Sequence, residues 1–391
     1  MREFPPSTKN QVTLANWRTA PFSSWAFSHV RELIPTADIP NSPSDIWNLK
    51  TDLQDVSGLT VGADMDLSAY LAATFTDGFI VLHKGRIVAE EYRNAVGPHK
   101  PHILMSVSKS MLGALSGILA QKGQLDVSAA VTKYIPEMEF TAWKGASVQN
   151  VLDMRTGIRF DEDYEATTGA IIEYRKSTGW NPLEPGDVAT DLRSFFNQVR
   201  DTDGAHQQRF HYVSPNTDLM AWIIERATGA CFAELMSEHL WQPMGAETPA
   251  YITVDRLGAP RAAGGMCVTL RDLARVGLLM ANGGKRGTEQ VLPGEWIADV
   301  VENGDTEAWN TGDFAGYFPD KDMHYRNKWY VERGEHPMIF CIGIHGQNLF
   351  VIPGQKLVVA KMSSRPRPLD PQVSQLNLKM ISALKQHFAG K

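Results

Sequence analysis

The chain has 391 residues, 43% hydrophobic and 21% charged, a composition ordinary for a soluble globular protein with room for two subdomains and a large core. Its net charge of −6 removes the electrostatic case for nucleic acid or an anionic membrane as partner. No apolar run approaches the roughly 18–20 residues of a spanning helix, and the first residues lack the apolar stretch of a secretory signal, so a cytoplasmic protein is expected.

Residues 1–60 are rich in Pro, Ser and Asn, with a short helical patch near Trp25 to Leu33. Two β-rich runs, Phe79 to His83 and Arg86 to Tyr92, flank Lys84-Gly85 and predict a β-hairpin. From Ser106 to Gln121 the positions Met111, Leu112, Leu115, Ile118 and Leu119 have helical spacing, and Gly123 supplies a stop. The span from about 125 to 255 reads as helices separated by polar loops. A loop rich in charge, Thr and Tyr is expected from Gly157 to Pro185, and a helix from Asn216 to Gly229. Thr269 to Asp272 resembles a capping box opening a helix through Leu279. Strand-like runs follow at Met338 to Ile344, Asn348 to Ile352 and Lys356 to Lys361, then a helix from Gln372 to Phe388.

This order predicts an α+β fold: an antiparallel sheet flanked by helices, with an inserted all-helical domain. Residues 1–105 and 256–391 would form the sheet domain, and 106–255 the helical one. The three cysteines, Cys231, Cys267 and Cys341, are far apart in apolar context, which predicts buried free thiols and no disulfide framework.

Chemistry concentrates at Ser106-Val-Ser-Lys109. Residues three apart share a helix face, so the hydroxyl and the amine can converge. A serine needs a neighbour to take its proton, and a desolvated lysine can be that neighbour. The same tetrad recurs at Ser382 to Lys385, where a polar pair on a solvated helix face is the simpler reading. Tyr212, flanked by Ser214 and Asn216 ahead of a helix, could shuttle a proton if lysine ammonium neighbours favour the phenolate. The alternative is a packed loop tyrosine with Asn216 as helix N-cap. Glycines 343 and 346 around Ile344 and His345 suggest either a close approach to a strand edge, offering N–H groups to an oxyanion, or a turn.

Strand pair, nucleophile helix, tyrosine loop and Gly-marked strand follow one another in the order of the serine β-lactamase and penicillin-recognising superfamily. The chain resembles its class C-like branch of carboxylesterases and 6-aminohexanoate-dimer (nylon-oligomer) hydrolases. The strings Trp25-Ala-Phe, Met105-Ser-Val-Ser-Lys-Ser110, Val151-Leu-Asp-Met154, Asn216-Thr-Asp218, Asp272-Leu-Ala-Arg-Val-Gly277 and Gly343-Ile-His-Gly-Gln-Asn348 carry the resemblance.

The resemblance implies a β-lactamase/transpeptidase-like fold and an acyl-enzyme hydrolase of small amides or esters that needs no cofactor or metal. It implies Ser106 as nucleophile, Lys109 as its base, and Tyr212 as the relay to the leaving group. The N–H groups of Ser106 and Ile344 would form the oxyanion hole, and Tyr164 would stand near the amide leaving group. Trp180, Ser214, Asn216 and His345 complete the expected substrate-binding set. The stretch Glu173 to Trp180 is locally basic and could meet a substrate carboxylate or be a solvated loop.

One departure narrows the activity. Members that recognise β-lactams carry a basic residue, then Thr or Ser, then Gly, where this chain has Cys341-Ile342-Gly343. His345 falls on the other side of Gly343. Amide or ester hydrolysis is therefore expected over efficient β-lactamase activity, with a short-chain carboxylesterase or weak β-lactamase or D-peptidase as alternatives. A non-catalytic sensor or scaffold is the reading from a different class. No Gly-x-Ser-x-Gly, His-Glu-x-x-His or phosphate-binding glycine motif competes. A homodimer is the default quaternary expectation.

Overall fold

Period-two alternation builds the central sheet. Phe79 and Val81 join one apolar cluster while Ile80 and Leu82 join another, and Val359 and Val358 divide the same way. The structure is a computed structural model describing residues 4–390 apart from Ala63 and Ala95. Its largest sheet has eight strands. In spatial order they are Met323–Arg326, Trp329–Glu332, Met338–Gly343, Gln347–Ile352, Leu357–Ser363, Thr76–His83, Arg86–Tyr92 and Lys50–Thr51. All neighbours run antiparallel except the final Lys50–Thr51 pairing.

Chain ends far apart in sequence are joined by one register, in which Leu357 faces His83 and Lys361 faces Phe79. Both sheet faces are covered. Helices Ser108–Gln121, Ser214–Thr228 and Leu270–Ala281 bury their apolar residues in the cluster on one side. The helix Pro371–Phe388 brings Met380, Ile381, Leu384 and Phe388 to the other, against Phe350 and Val359. Sandwiching explains why these strands read as nearly continuous apolar runs. Each fully buried Leu, Ile or Phe contributes roughly 1.5–3 kcal/mol of transfer free energy.

A second sheet of four short strands, Thr36–Ile39, Ala250–Thr253, Met266–Val268 and His102–Ile103 in that order, lies where the chain enters and leaves its mainly helical middle. His102–Ile103 leads directly into the turn that carries Ser106.

Several sequence expectations are corrected. The patch at 25–33 is a single α-turn, Ser23–Ala26, followed by a 3₁₀ turn, Val30–Glu32. The loop expected from 157 to 185 contains a helix, Ala170–Ser177, that buries Ile171, Tyr174, Arg175 and Ser177. A buried arginine on that face hid the helical period from a hydrophobicity count. Cys231 is exposed, whereas Cys267 and Cys341 are buried; all three are free. Met338–Gly343 is an interior strand with neighbours on both sides, not a sheet edge. Thr269 caps Leu270–Ala281, accepting from the Asp272 N–H.

Candidate active site

Ser106 stands on a 3₁₀ turn, Met105–Val107, which runs into the helix Ser108–Gln121. The turn is entered through Met105 at φ 47, a left-handed conformation that costs a non-glycine residue about 1–3 kcal/mol. Packing holds it there: Met105 and Val107 are both buried. The tetrad converges as its spacing predicts. Lys109 Nζ lies 2.9 Å from Ser106 Oγ, although the first turn is 3₁₀.

Lys109 is 1% exposed, and burial lowers its pKa to about 7. Glu162 and Asp218 oppose that shift, and Arg261 adds to it. Besides Ser106, the amine has two partners, Ser214 Oγ at 3.0 Å and the Ala263 carbonyl at 2.8 Å. The Ser214 hydroxyl donates to Glu162, so towards Lys109 it accepts. A neutral amine has two hydrogens and one lone pair. The hydrogens go to Ala263 and Ser214, which turns the lone pair to the Ser106 hydroxyl.

Glu162 was not foreseen. It also accepts the Ser214 N–H at 2.7 Å and the Tyr164 hydroxyl at 3.1 Å. A loop carboxylate has no periodic signal, and only the fold brings it to a helix start 52 residues away. Asp218, inside the string Asn216-Thr-Asp218, likewise carries no signal of its own in the sequence. It is buried, binds Arg261 and Tyr174, and accepts the Ala263 N–H at 2.7 Å, so it fixes the carbonyl that holds Lys109.

Asp313 positions Tyr212, accepting its backbone N–H at 2.9 Å and lying 2.9 Å from His211 Nδ1. The phenol interacts with Ser106 and Tyr330, and burial raises its pKa. The phenolate expected from lysine neighbours is therefore disfavoured. Lys109 Nζ lies over the ring, 4.9 Å from its centroid, and it is burial that keeps the proton on Tyr212 and makes it a donor.

Gly343 leads from its strand into a turn, Ile344–Gly346, where His345 has φ 61. Ile344 and Ser106 line a common cleft with Tyr164, Tyr212, Phe314 and Tyr330. A smaller recess that also reaches Ser106 is lined by Glu162, Arg175, Trp180, Ser214, Arg261 and Ile344. Tyr164 is half-buried and borders both hollows.

Two expected binding residues are placed elsewhere. Asn216 is 0% exposed and lines neither hollow. Its amide joins Trp143 Nε1 at 2.8 Å and Thr156 Oγ1 at 2.8 Å. Nor is it the helix cap, a position held by Val213. His345 faces a neighbouring hollow, with its Nδ1 2.7 Å from the Arg365 carbonyl, and burial lowers its pKa to about 4. Trp180 is buried at the recess, and its indole donates to Thr253 Oγ1 at 3.1 Å. The basic stretch 173–180 is thus no solvated loop: Arg175 is buried and holds the Tyr164 carbonyl at 3.1 Å. Among the described residues no three His, Cys, Asp or Glu are grouped to hold a metal ion.

The sequence model of the Beta-lactamase family matches residues 68–379. The 6-aminohexanoate-dimer hydrolase of Paenarthrobacter ureafaciens is 37% identical over 367 residues, covering 93% of this chain and 91% of that one. A solved structure from Bacillus anthracis, assigned as a 6-aminohexanoate-dimer hydrolase, superposes with a TM-score of 0.87. It is 26% identical, and 98% of each chain is covered. EstCE1, a hydrolase with promiscuous acyltransferase activity, shares the fold alone, with a TM-score of 0.62 at 13% identity, over 81% of this chain and 98% of its own.

Proposed function

The chain belongs to the Beta-lactamase family and is a hydrolase, and from that premise we propose that it cleaves small linear amides of the 6-aminohexanoate-dimer type, and short esters, through an acyl-enzyme on Ser106. The observation that carries this reading is the contact between Ser106 Oγ and a buried Lys109 whose remaining partners are both acceptors.

Neutral Lys109 takes the Ser106 proton as Oγ attacks the carbonyl carbon. The tetrahedral oxyanion is held by the N–H groups of Ser106 and Ile344. Tyr212 gives its phenolic proton to the leaving amine or alkoxide as the C–N or C–O bond breaks, and Lys109 ammonium reprotonates the tyrosine. Water then attacks the ester carbonyl, passing its proton through the same groups, and Ser106 is restored. Tyr164, held by Glu162, borders the leaving-group side, and the Trp180 indole walls the recess.

Amide and ester substrates fit better than β-lactams, because Cys341-Ile342 supplies neither the cation nor the hydroxyl beside Gly343. The free thiols of Cys267 and Cys341 accord with action in the cytoplasm. The test is hydrolysis of the 6-aminohexanoate dimer, read as free amine, beside a short p-nitrophenyl ester and nitrocefin. A fluorophosphonate probe should label Ser106. No labelling and no turnover of either amide or ester would sink the reading.

A further inference from the structure

Arg365 is buried and, among the described residues, forms no ion pair. It is 6% exposed, its Nε and Nη1 have no hydrogen-bond partner among those residues, and it lines the same cleft as Ser106. The same lining includes Asn348, 1% exposed, whose Nδ2 is also unpartnered among the described residues while its Oδ1 accepts from Asn377. Leaving such donors unsatisfied in a buried place is unfavourable, most of all for a charged group.

Other cations near Ser106 are already matched. Arg261 pairs with Asp218, Arg175 donates to the Tyr164 carbonyl, and Arg18 donates to Asn181. The acid whose charge acts on Arg365 is Asp370, which forms no ion pair with it among the described residues and uses its Oδ1 to cap Pro371–Phe388. Lys361 lies close by, buried, with its Nζ on Ser363 Oγ at 2.6 Å. The place is a built one. Gly346, at φ 99, has no Cβ; one added there would stand 3.0 Å from Arg365 Nε. Arg365 is also anchored by its backbone, which donates to the His345 carbonyl at 3.1 Å and accepts from the His345 ring.

We propose that Arg365 and Asn348 form the subsite that takes the terminal carboxylate of a dimer-type substrate and so set the enzyme's specificity for that end of the chain. This rests on the serine-hydrolase reading of the same cleft. A guanidinium with two unpartnered nitrogens, in the same lining as an unpartnered amide nitrogen, can offer a carboxylate charge-assisted bonds. The same cleft is also lined by Phe314, Tyr317, Phe318, Phe340 and Leu378, a mainly apolar surface suited to a polymethylene chain. The β-lactam grip missing at positions 341 and 342 is thus replaced by a cation from a different strand end.

Equilibrium titration of the whole protein with hexanoate, hexanamide, acetate and chloride tests the subsite. Hexanoate should bind at least tenfold more tightly than hexanamide, and at least tenfold more tightly than acetate or chloride. Arg365→Gln should abolish the preference for hexanoate over hexanamide, and Arg365→Lys should restore part of it. Equal binding of the acid and the amide overturns the proposal, as does a preference that survives Arg365→Gln. Acetate or chloride binding as tightly as hexanoate would mean an inorganic anion site and would overturn the substrate assignment. If Arg365→Gln does not fold, Asn348→Asp should cut the preference by like-charge repulsion, and the wild-type comparison stands without any variant. The same titration of Ser106→Ala separates the two readings, since binding there does not depend on acylation.

Discussion

A Cβ added to Gly343 would stand 2.6 Å from the carbonyl oxygen of Leu104. The end of the Met338–Gly343 strand therefore lies close against the turn that presents Ser106, and in the proposed mechanism this close approach fixes the spacing of the Ser106 and Ile344 N–H groups. Gly343→Ala should therefore damage catalysis more than stability. With one oxyanion donor displaced, kcat should fall about 10²–10³-fold. Steady-state kinetics on a p-nitrophenyl ester, beside a thermal unfolding curve, checks it; unchanged kcat would separate the glycine from the oxyanion site.

Buried Lys109, with a pKa of about 7, must be neutral to accept the serine proton. Its charged form predominates below that pKa, so kcat/KM should rise with pH through an inflection near 7 and level off above it. Glu162 favours the ammonium. Glu162→Gln should move the inflection to lower pH, because the neutral amine is then favoured. A pH–rate profile for both proteins decides, and a shift to higher pH would contradict the assignment.

Loss of the nucleophile and loss of the proton donor should differ. Ser106→Ala should remove ester and amide turnover together. Tyr212→Phe should lower both by about 10²–10⁴-fold, with the amide suffering more because an amine leaves poorly without a proton. Ester and amide rates on the two variants give the comparison, and an active Ser106→Ala would end the proposed mechanism.

Asn216 illustrates a string residue that acts inside the core. Asn216→Ala should leave KM near its original value and destabilise the fold by about 1–3 kcal/mol, as Trp143 Nε1 and Thr156 lose their partner. Urea unfolding with parallel KM measurement tests this. A raised KM with full stability would return the residue to the substrate.

Nitrocefin should be turned over far more slowly than the short ester. Cys341-Ile342 lacks the paired cation and hydroxyl, and Arg365 approaches from the opposite side of Gly343 on the chain. Comparable kcat/KM values for the two substrates would show that the missing grip is not what limits β-lactams.

What lay in the sequence was whatever depends on near neighbours. The Ser106–Lys109 pair needs only one turn of chain, the hairpin at 76–92 only alternation about a glycine turn, and Thr269 only the N–H three residues on. Chain order and specific strings carried the family. Tertiary packing alone decided which charges face Lys109. Glu162 arrives from a loop, Asp218 from a helix, and Ala263 from a turn before a strand; no local period links them. The same holds for Tyr212, which the sequence left free to ionise and burial keeps protonated. A pKa is set by what surrounds a group in space within a few ångströms, and hundreds of residues of chain can separate those neighbours. Arg365 reads in the sequence as one more basic residue, and only its burial with Nε and Nη1 unpartnered among the described residues marks it out.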